Sequence, residues 1–210
     1  MNNIWLQFVQ GLKDTGGWEY IAVFTGIASV WCSRIENILT YPIGLISTTI
    51  YIFLSIDQDL LGEASVNLYY TIMSIVGWYM WLKKNENKES ILQITRSDQK
   101  MWQSQILFFL FFYISIFIAL TFLKKSFAQG AIPWADAFAS ATAFTGMWLM
   151  TKKKVESWYW WIATNITSIP LYFIKGYVFT SVYYLVLLIF AFWGLAEWKK
   201  REIHTKLPGS

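Results

Sequence analysis

The sequence predicts an all-α membrane protein with seven transmembrane helices in a three, one, three arrangement. Seven apolar runs occupy most of the 210 residues. Basic residues are shared very unequally between the two sides of those runs. The outer groups of three runs also carry the same landmark residues in the same order.

The chain is 56% hydrophobic and only 14% charged, outside the soluble range. Crossing ~30 Å of hydrocarbon takes about 20 mostly apolar residues, or ~17 at the short end. Runs of that length satisfy their backbone as helices. The first, Trp18–Ser33, has no basic segment before it and no small-residue cleavage site, so it reads as a span and not a signal peptide. Ile38–Ser55 and Val66–Leu82 complete the first three-helix unit, residues 18–82. The polar stretch Lys83–Gln103 mixes both charge signs and predicts a solvated linker with a short surface helix. Ser104–Leu123 is a single linking span, residues 104–123. Trp134–Met150, Trp158–Ile174 and Phe179–Trp198 form the second unit, residues 134–198. All of this is one transmembrane domain, 1–210, with the Leu207–Ser210 tail set aside.

Numbering the inter-helix segments alternately places 13 Lys and Arg on one side and 4 on the other. Positive residues stay inside. The N-terminus is therefore expected outside and the C-terminus in the cytoplasm of a bacterial inner membrane. The Lys152-Lys153-Lys154 run then reads as a topology signal, and the +4 charge implies no nucleic-acid partner. Cys32, the one cysteine, excludes an internal disulfide, and the one histidine, His204, lies in the polar tail. With no metal-ligand cluster, catalytic triad or phosphate loop, no enzyme activity and no cofactor are expected.

Trp31 and Trp148 end the first helix of each unit, and Tyr51 and Tyr172 come late in the second. Gly77-x3-Trp81 and Gly194-x3-Trp198 end the third, each before a lysine pair. An odd linking span gives both units the same orientation. That is a parallel repeat about the membrane normal, as in SWEET transporters, and it places a substrate site near the midplane between the halves.

Polar residues inside the spans should line that site. Trp158, Trp161, Asn165, Ser168 and Tyr172 share one helical face. A mid-span amide needs a partner. Asn165 has Thr164, Thr167 and Ser168 as neighbours that could pair it, and it either makes an interhelical hydrogen bond or faces a ligand beside Trp161. Asn67, Tyr70, Ser74, Trp78 and Trp81 make a second stripe, with Tyr51 from the second span and Tyr184 and Trp193 from the seventh. Trp18, Trp81, Trp134, Trp158 and Trp198 are expected in interfacial belts. Aromatic walls with a few amides and hydroxyls suit a flat heterocycle, cationic or neutral. Asp57, Asp59 and Glu63 fall in an outer loop, and Lys175 is expected to snorkel. No carboxylate lies in mid-span, so transport should need no ion gradient.

Met150 to Asn165, with Trp158-x2-Trp161-x3-Asn165, resembles the signature of the PnuC family of vitamin transporters. Gly77-Trp78-Tyr79-Met80-Trp81, Trp134-x-Asp136, and Gly176 with Tyr184 add to the resemblance, which runs from about Trp18 to Lys200. It implies a SWEET-like facilitator of nicotinamide riboside whose substrate is trapped by cytoplasmic phosphorylation, and a homotrimer. It puts Trp161, Asn165 and Tyr184 near the ligand, and the helical stripes add Asn67, Ser74, Trp78, Tyr51, Tyr172 and Ser168 as expected lining residues. Ser47, Asn67, Ser74, Lys175 and Trp193 depart from the amide-rich pattern of nicotinamide riboside carriers. Thiamine and riboflavin thus stay open as substrates, with a sugar of the SWEET type beyond them.

Overall fold

The computed structural model describes residues 2–14, 16–57, 61–86, 90–127 and 130–202; Asp59, His204 and the 207–210 tail lie outside them. Eight helices form: α1 (Asn2–Asp14), α2 (Gly17–Arg34), α3 (Thr40–Asp57), α4 (Leu61–Leu82), α5 (Gln99–Phe127), α6 (Pro133–Thr151), α7 (Ser157–Ile174) and α8 (Val178–Arg201). Helices α2 to α8 coincide with the seven apolar runs. Helix α1 is an addition to the expected count. Its 13 residues are too few to cross a bilayer. It lies along the start of α8, with Phe8 near Phe179 and the Tyr20 hydroxyl donating to the Leu12 carbonyl, and it exposes Ile4, Trp5 and Leu6. Helices α5 and α8 are apolar enough to cross on composition alone, with mean hydropathy 2.3 and 2.1. The others are less apolar because their inward faces carry small and polar residues.

Six helices close a ring, α2–α3–α4–α6–α7–α8, each packed on the next and α8 back on α2. Helix α5 stands outside it against α6, where Phe108 stacks on Trp148 at 4.8 Å and Phe112 meets Phe144 edge-on at 5.1 Å. Within the ring α3 and α7 stand opposite each other. The units meet along two seams, α2 with α8 and α4 with α6.

The end of the ring that bears Lys152–Lys154 is sealed. Trp81, Trp158 and Trp198 were expected in belts, but they are 6%, 1% and 0% exposed, whereas Trp18 and Trp134 do face outward. Glycine explains the difference. A Cβ at Gly77 would stand 2.4 Å from the Tyr41 ring, and one at Gly194 2.4 Å from Trp158, so each third helix is notched to admit a large ring from the second. Two of these indoles also have partners: Trp81 donates to the Met150 carbonyl at 3.3 Å and Trp198 to the Ser33 carbonyl at 3.0 Å, while the buried Trp158 N–H has none among the described residues. Both acceptors close first helices of the opposite unit.

The turns after α2 and α6 match as well. Glu36 and Lys153 both take left-handed backbone, with φ of 61° and 51°. They are 117 positions apart and bonded to each other, Lys153 Nζ to Glu36 Oε1 at 2.6 Å. Nearby Lys152 has its pKa lowered, first by burial and then by Lys154.

The polar stretch after α4 is not a solvated linker with a helix. Between Ser90 and Asp98 it runs as an extended strap on the α6–α7 turn. Thr95 N–H donates to the Lys153 carbonyl and Val155 N–H to the Thr95 carbonyl. Ile94 is 2% exposed against the tryptophans. Glu156 accepts from Ser97, and Gln105 joins Ser97 to Trp160. An apolar residue at every polar gap, Ile91, Leu92 and Ile94, is the signal that was masked by the charges around it.

Candidate substrate cleft

From the sealed end towards the opposite end, the ring interior is lined by aromatic and hydroxyl side chains. Trp161 and Trp78 lie one turn above Trp158 and Trp81 and pack on the sealing cluster, forming a floor. Trp161 is held because α6 has a glycine there: a Cβ at Gly146 would stand 3.3 Å from the indole. Tyr70 of α4 reaches Trp161 across the seam, ring centroids 6.1 Å apart. Its neighbour Tyr69 stacks on Phe144 at 4.0 Å and donates to the Phe144 carbonyl at 3.0 Å, which fixes α4 on α6.

One turn above Trp161, Asn165 is 3% exposed. Among the described residues none hydrogen-bonds its carboxamide. The hydroxyls that could have paired it are engaged elsewhere. Thr164 bonds Thr142 of α6 at 2.9 Å, and Thr167 donates to its own helix at the Ala163 carbonyl. At this level of α7 the bond to α6 is therefore made by Thr164 and not by Asn165. A buried amide without a protein partner calls for a ligand or water.

Further towards the opposite end, Ser168 is 1% exposed and lies beside the Tyr184 hydroxyl. Tyr184 stacks on Tyr172 at 5.1 Å with rings 15° apart. Tyr51 approaches Tyr183 and Tyr184 from α3, and Tyr70 approaches both from α4. Ser74 is buried on the same α4 face. The mouth carries charge: Glu63 lies within electrostatic reach of Tyr51, Tyr172 and Tyr184, and of the Lys175–Asp136 ion pair. That pair is 2.7 Å long and ties α7 to α6, so Lys175 does not snorkel. Asp136 also accepts from the Ile132 N–H.

The nine expected residues fall into two groups. Trp161, Asn165, Ser168, Tyr172, Tyr184 and Tyr51 form one continuous lining with Tyr70. Trp78 belongs to the floor, and Ser74 lies between it and Tyr70. Asn67 departs most from expectation, because it donates to the Glu63 carbonyl of its own helix at 3.0 Å. Trp193 points away from the cleft, 49% exposed on the bundle perimeter. Two residues were undervalued. Glu63 sits in the first turn of α4, not in a loop. It extends the Asn67–Tyr70–Ser74 stripe by one turn, and that spacing was its signal. Tyr70 was in the stripe, but nothing in the sequence says it bridges Trp161 and Tyr184.

A ring of apolar helices around an aromatic, hydroxyl-lined cleft, sealed at one end, is the architecture of a membrane transporter. The comparisons agree. The family described as nicotinamide mononucleotide transporter matches residues 16–200, and the chain belongs to that family. It is 23% identical to the nicotinamide riboside transporter PnuC of Escherichia coli strain K12, over 90% of this chain and 87% of that one. It is 22% identical to the riboflavin/roseoflavin transporter RibM of Streptomyces davaonensis, over 85% and 89%. A crystal structure of the vitamin B3 transporter PnuC shares the fold, with a TM-score of 0.71 and 23% identity over 94% of this chain and 87% of that one. The family consists of transporters, and the chain is no enzyme.

Proposed function

We propose that the protein carries nicotinamide riboside across the bacterial inner membrane by facilitated diffusion, with phosphorylation inside the cell trapping the product. The observation that carries this reading is the unpartnered Asn165 carboxamide, one turn above Trp161 and below the Tyr172–Tyr184 stack. A carboxamide is a natural partner for the nicotinamide amide, which both donates and accepts. The pyridinium ring is cationic and flat, so it suits indole and phenol faces. Glu63 at the mouth favours a cation as well. The same charge favours thiamine as second reading, since its thiazolium is also cationic. Riboflavin is neutral and gains nothing from Glu63, although RibM is among the relatives.

The three, one, three repeat is part of this reading. Its support is a constant register: Glu36 and Lys153 stand 117 apart, as do Ser33 and Met150, Tyr41 and Trp158, Gly77 and Gly194, and Trp81 and Trp198. Seven helices cross, with residues 18–82 and 134–198 as the repeated units and 104–123 between them. The C-terminus lies in the cytoplasm, because the basic end of the ring is then inside. A homotrimer follows from the family resemblance alone. Among the described residues the carboxylates lie at helix ends or in connecting segments, so no ion gradient drives the step.

The deciding experiment is a binding screen of purified protein against nicotinamide riboside, thiamine, riboflavin and glucose. Nicotinamide riboside should bind with the highest affinity. Tighter binding of thiamine moves the assignment to the second reading. Preference for riboflavin or glucose overturns the role given to Asn165 and Glu63.

A further inference from the structure

On the lipid-facing side of the α2–α8 seam, at the basic end, a groove of about 320 Å³ is lined by Trp31, Arg34, Trp193, Ala196, Glu197 and Lys200. The Arg34 guanidinium lies between two indoles, 4.5 Å from the Trp31 ring centroid and 5.3 Å from that of Trp193. Its Nε is buried and has no hydrogen-bond partner among the described residues. The carboxylate in the groove is not available to it. Glu197 is held by Arg201 at 2.7 Å through both Nε and Nη2. Glu36 is likewise bonded to Lys153 and Glu202 to Arg96. Among the described residues Arg34 is therefore a half-buried cation partnered by aromatic faces, with Lys200 as a second positive charge on the other wall.

We propose that this groove binds the phosphate of an anionic phospholipid. The two indoles beside it leave the terminal Nη donors of the guanidinium for a ligand, and such donors match phosphate oxygens. Trp31 and Trp193 are 43% and 49% exposed on the perimeter, at the level where indoles mark the headgroup boundary. The groove lies outside the ring, so it opens to lipid and not to the substrate cleft. Basic pockets between helices at the basic side of a membrane bind such headgroups. The repeat does not generate the site. At the α4–α6 seam, 117 positions away, Thr151 stands for Arg34 and Val76 for Trp193. Arg34 belongs to one unit and Lys200 to the other. One phosphate held by both crosses the seam that Trp198 closes on Ser33, and so stabilises the sealed end.

The test is native mass spectrometry of protein exchanged into phosphatidylglycerol–phosphatidylcholine mixtures, paired with melting curves on adding each lipid. Wild type should retain phosphatidylglycerol preferentially and melt higher in it. Lys200→Gln, at an exposed position that does not threaten folding, should lower that preference about fivefold. Arg34→Gln should lower it further, and Lys83→Gln, 117 positions before Lys200 at the other seam, should not. Equal retention by wild type and Lys200→Gln overturns the proposal. So does an equal rise in melting temperature with inorganic phosphate, which would make the ligand a free anion. A change of oligomeric state in Arg34→Gln or Lys200→Gln without any change in lipid retention would make the groove a protein contact and equally overturn it.

Discussion

Glu36, in the turn after α2, and Lys153, in the turn after α6, are bonded to each other, Nζ to Oε1 at 2.6 Å. Each lies two residues past the end of its helix, and each has positive φ. The ion pair therefore ties the end of α2 to the end of α6. Lys153 is further held by the Trp81 face at 4.7 Å.

Reversing Glu36 alone should therefore be harmful. Glu36→Lys sets two cations together at a buried position and should destabilise the fold by about 3–5 kcal/mol. The double reversal Glu36→Lys with Lys153→Glu should recover much of that loss, as read by melting temperature. No recovery would mean that the loss arises at each position separately and not from the pair.

Adjacent residues of α7 should separate binding from stability. Asn165→Leu should weaken substrate binding by about 1–3 kcal/mol and leave melting nearly unchanged, because it has no protein partner to lose. Thr164→Val should do the reverse, lowering stability by about 1 kcal/mol with affinity kept, since its bond is to Thr142. Trp161→Ala should weaken binding by ~1–3 kcal/mol through loss of a stacking wall. Affinity unchanged in both Asn165→Leu and Trp161→Ala would move the site away from α7.

Two glycine substitutions should have different consequences. Gly194→Ala drives a methyl to 2.4 Å from the fully buried Trp158 and should destabilise by about 1–3 kcal/mol. Gly146→Ala meets Trp161 at 3.3 Å, which the half-buried indole can yield to by a small shift. Calorimetry should record the first effect, and ligand titration should record the second as reduced affinity in a folded protein.

Glu63→Gln should reduce affinity for a cationic substrate about fivefold, the equivalent of ~1 kcal/mol for a partly screened charge. A neutral ligand should be unaffected. Titration of nicotinamide riboside beside riboflavin on the same variant checks this, and equal losses for both would give Glu63 a structural role.

The spans were legible because hydrophobic length survives any tertiary context. The α7 stripe was legible because one helical face repeats on a fixed period. What escaped depended on contacts between distant segments. Trp158 and Trp198 look like belt residues until Gly194 and the Ser33 carbonyl are brought beside them. Asn67 looks like a ligand amide until its own helix accepts its N–H. The strap hid its one buried anchor, Ile94, among charges, and α1 was too short and too mixed to register against seven long spans.

The strap sets where the chain divides mechanically. It leaves α4, bonds along the α6–α7 turn, and rises as α5 on the flank of α6, so everything from Ser90 onward belongs to the second unit. The Ile91 N–H closes back on the Lys83 carbonyl, which gathers the covalent crossing into one short loop. A gene split between the codons of Lys84 and Ser90 would then encode two polypeptides that meet along the α2–α8 and α4–α6 seams, through the packing of α1 on α8, and through the Glu36–Lys153, Trp81–Met150 and Trp198–Ser33 bonds. Made together, they should assemble into a heterodimer with the fold of the single chain.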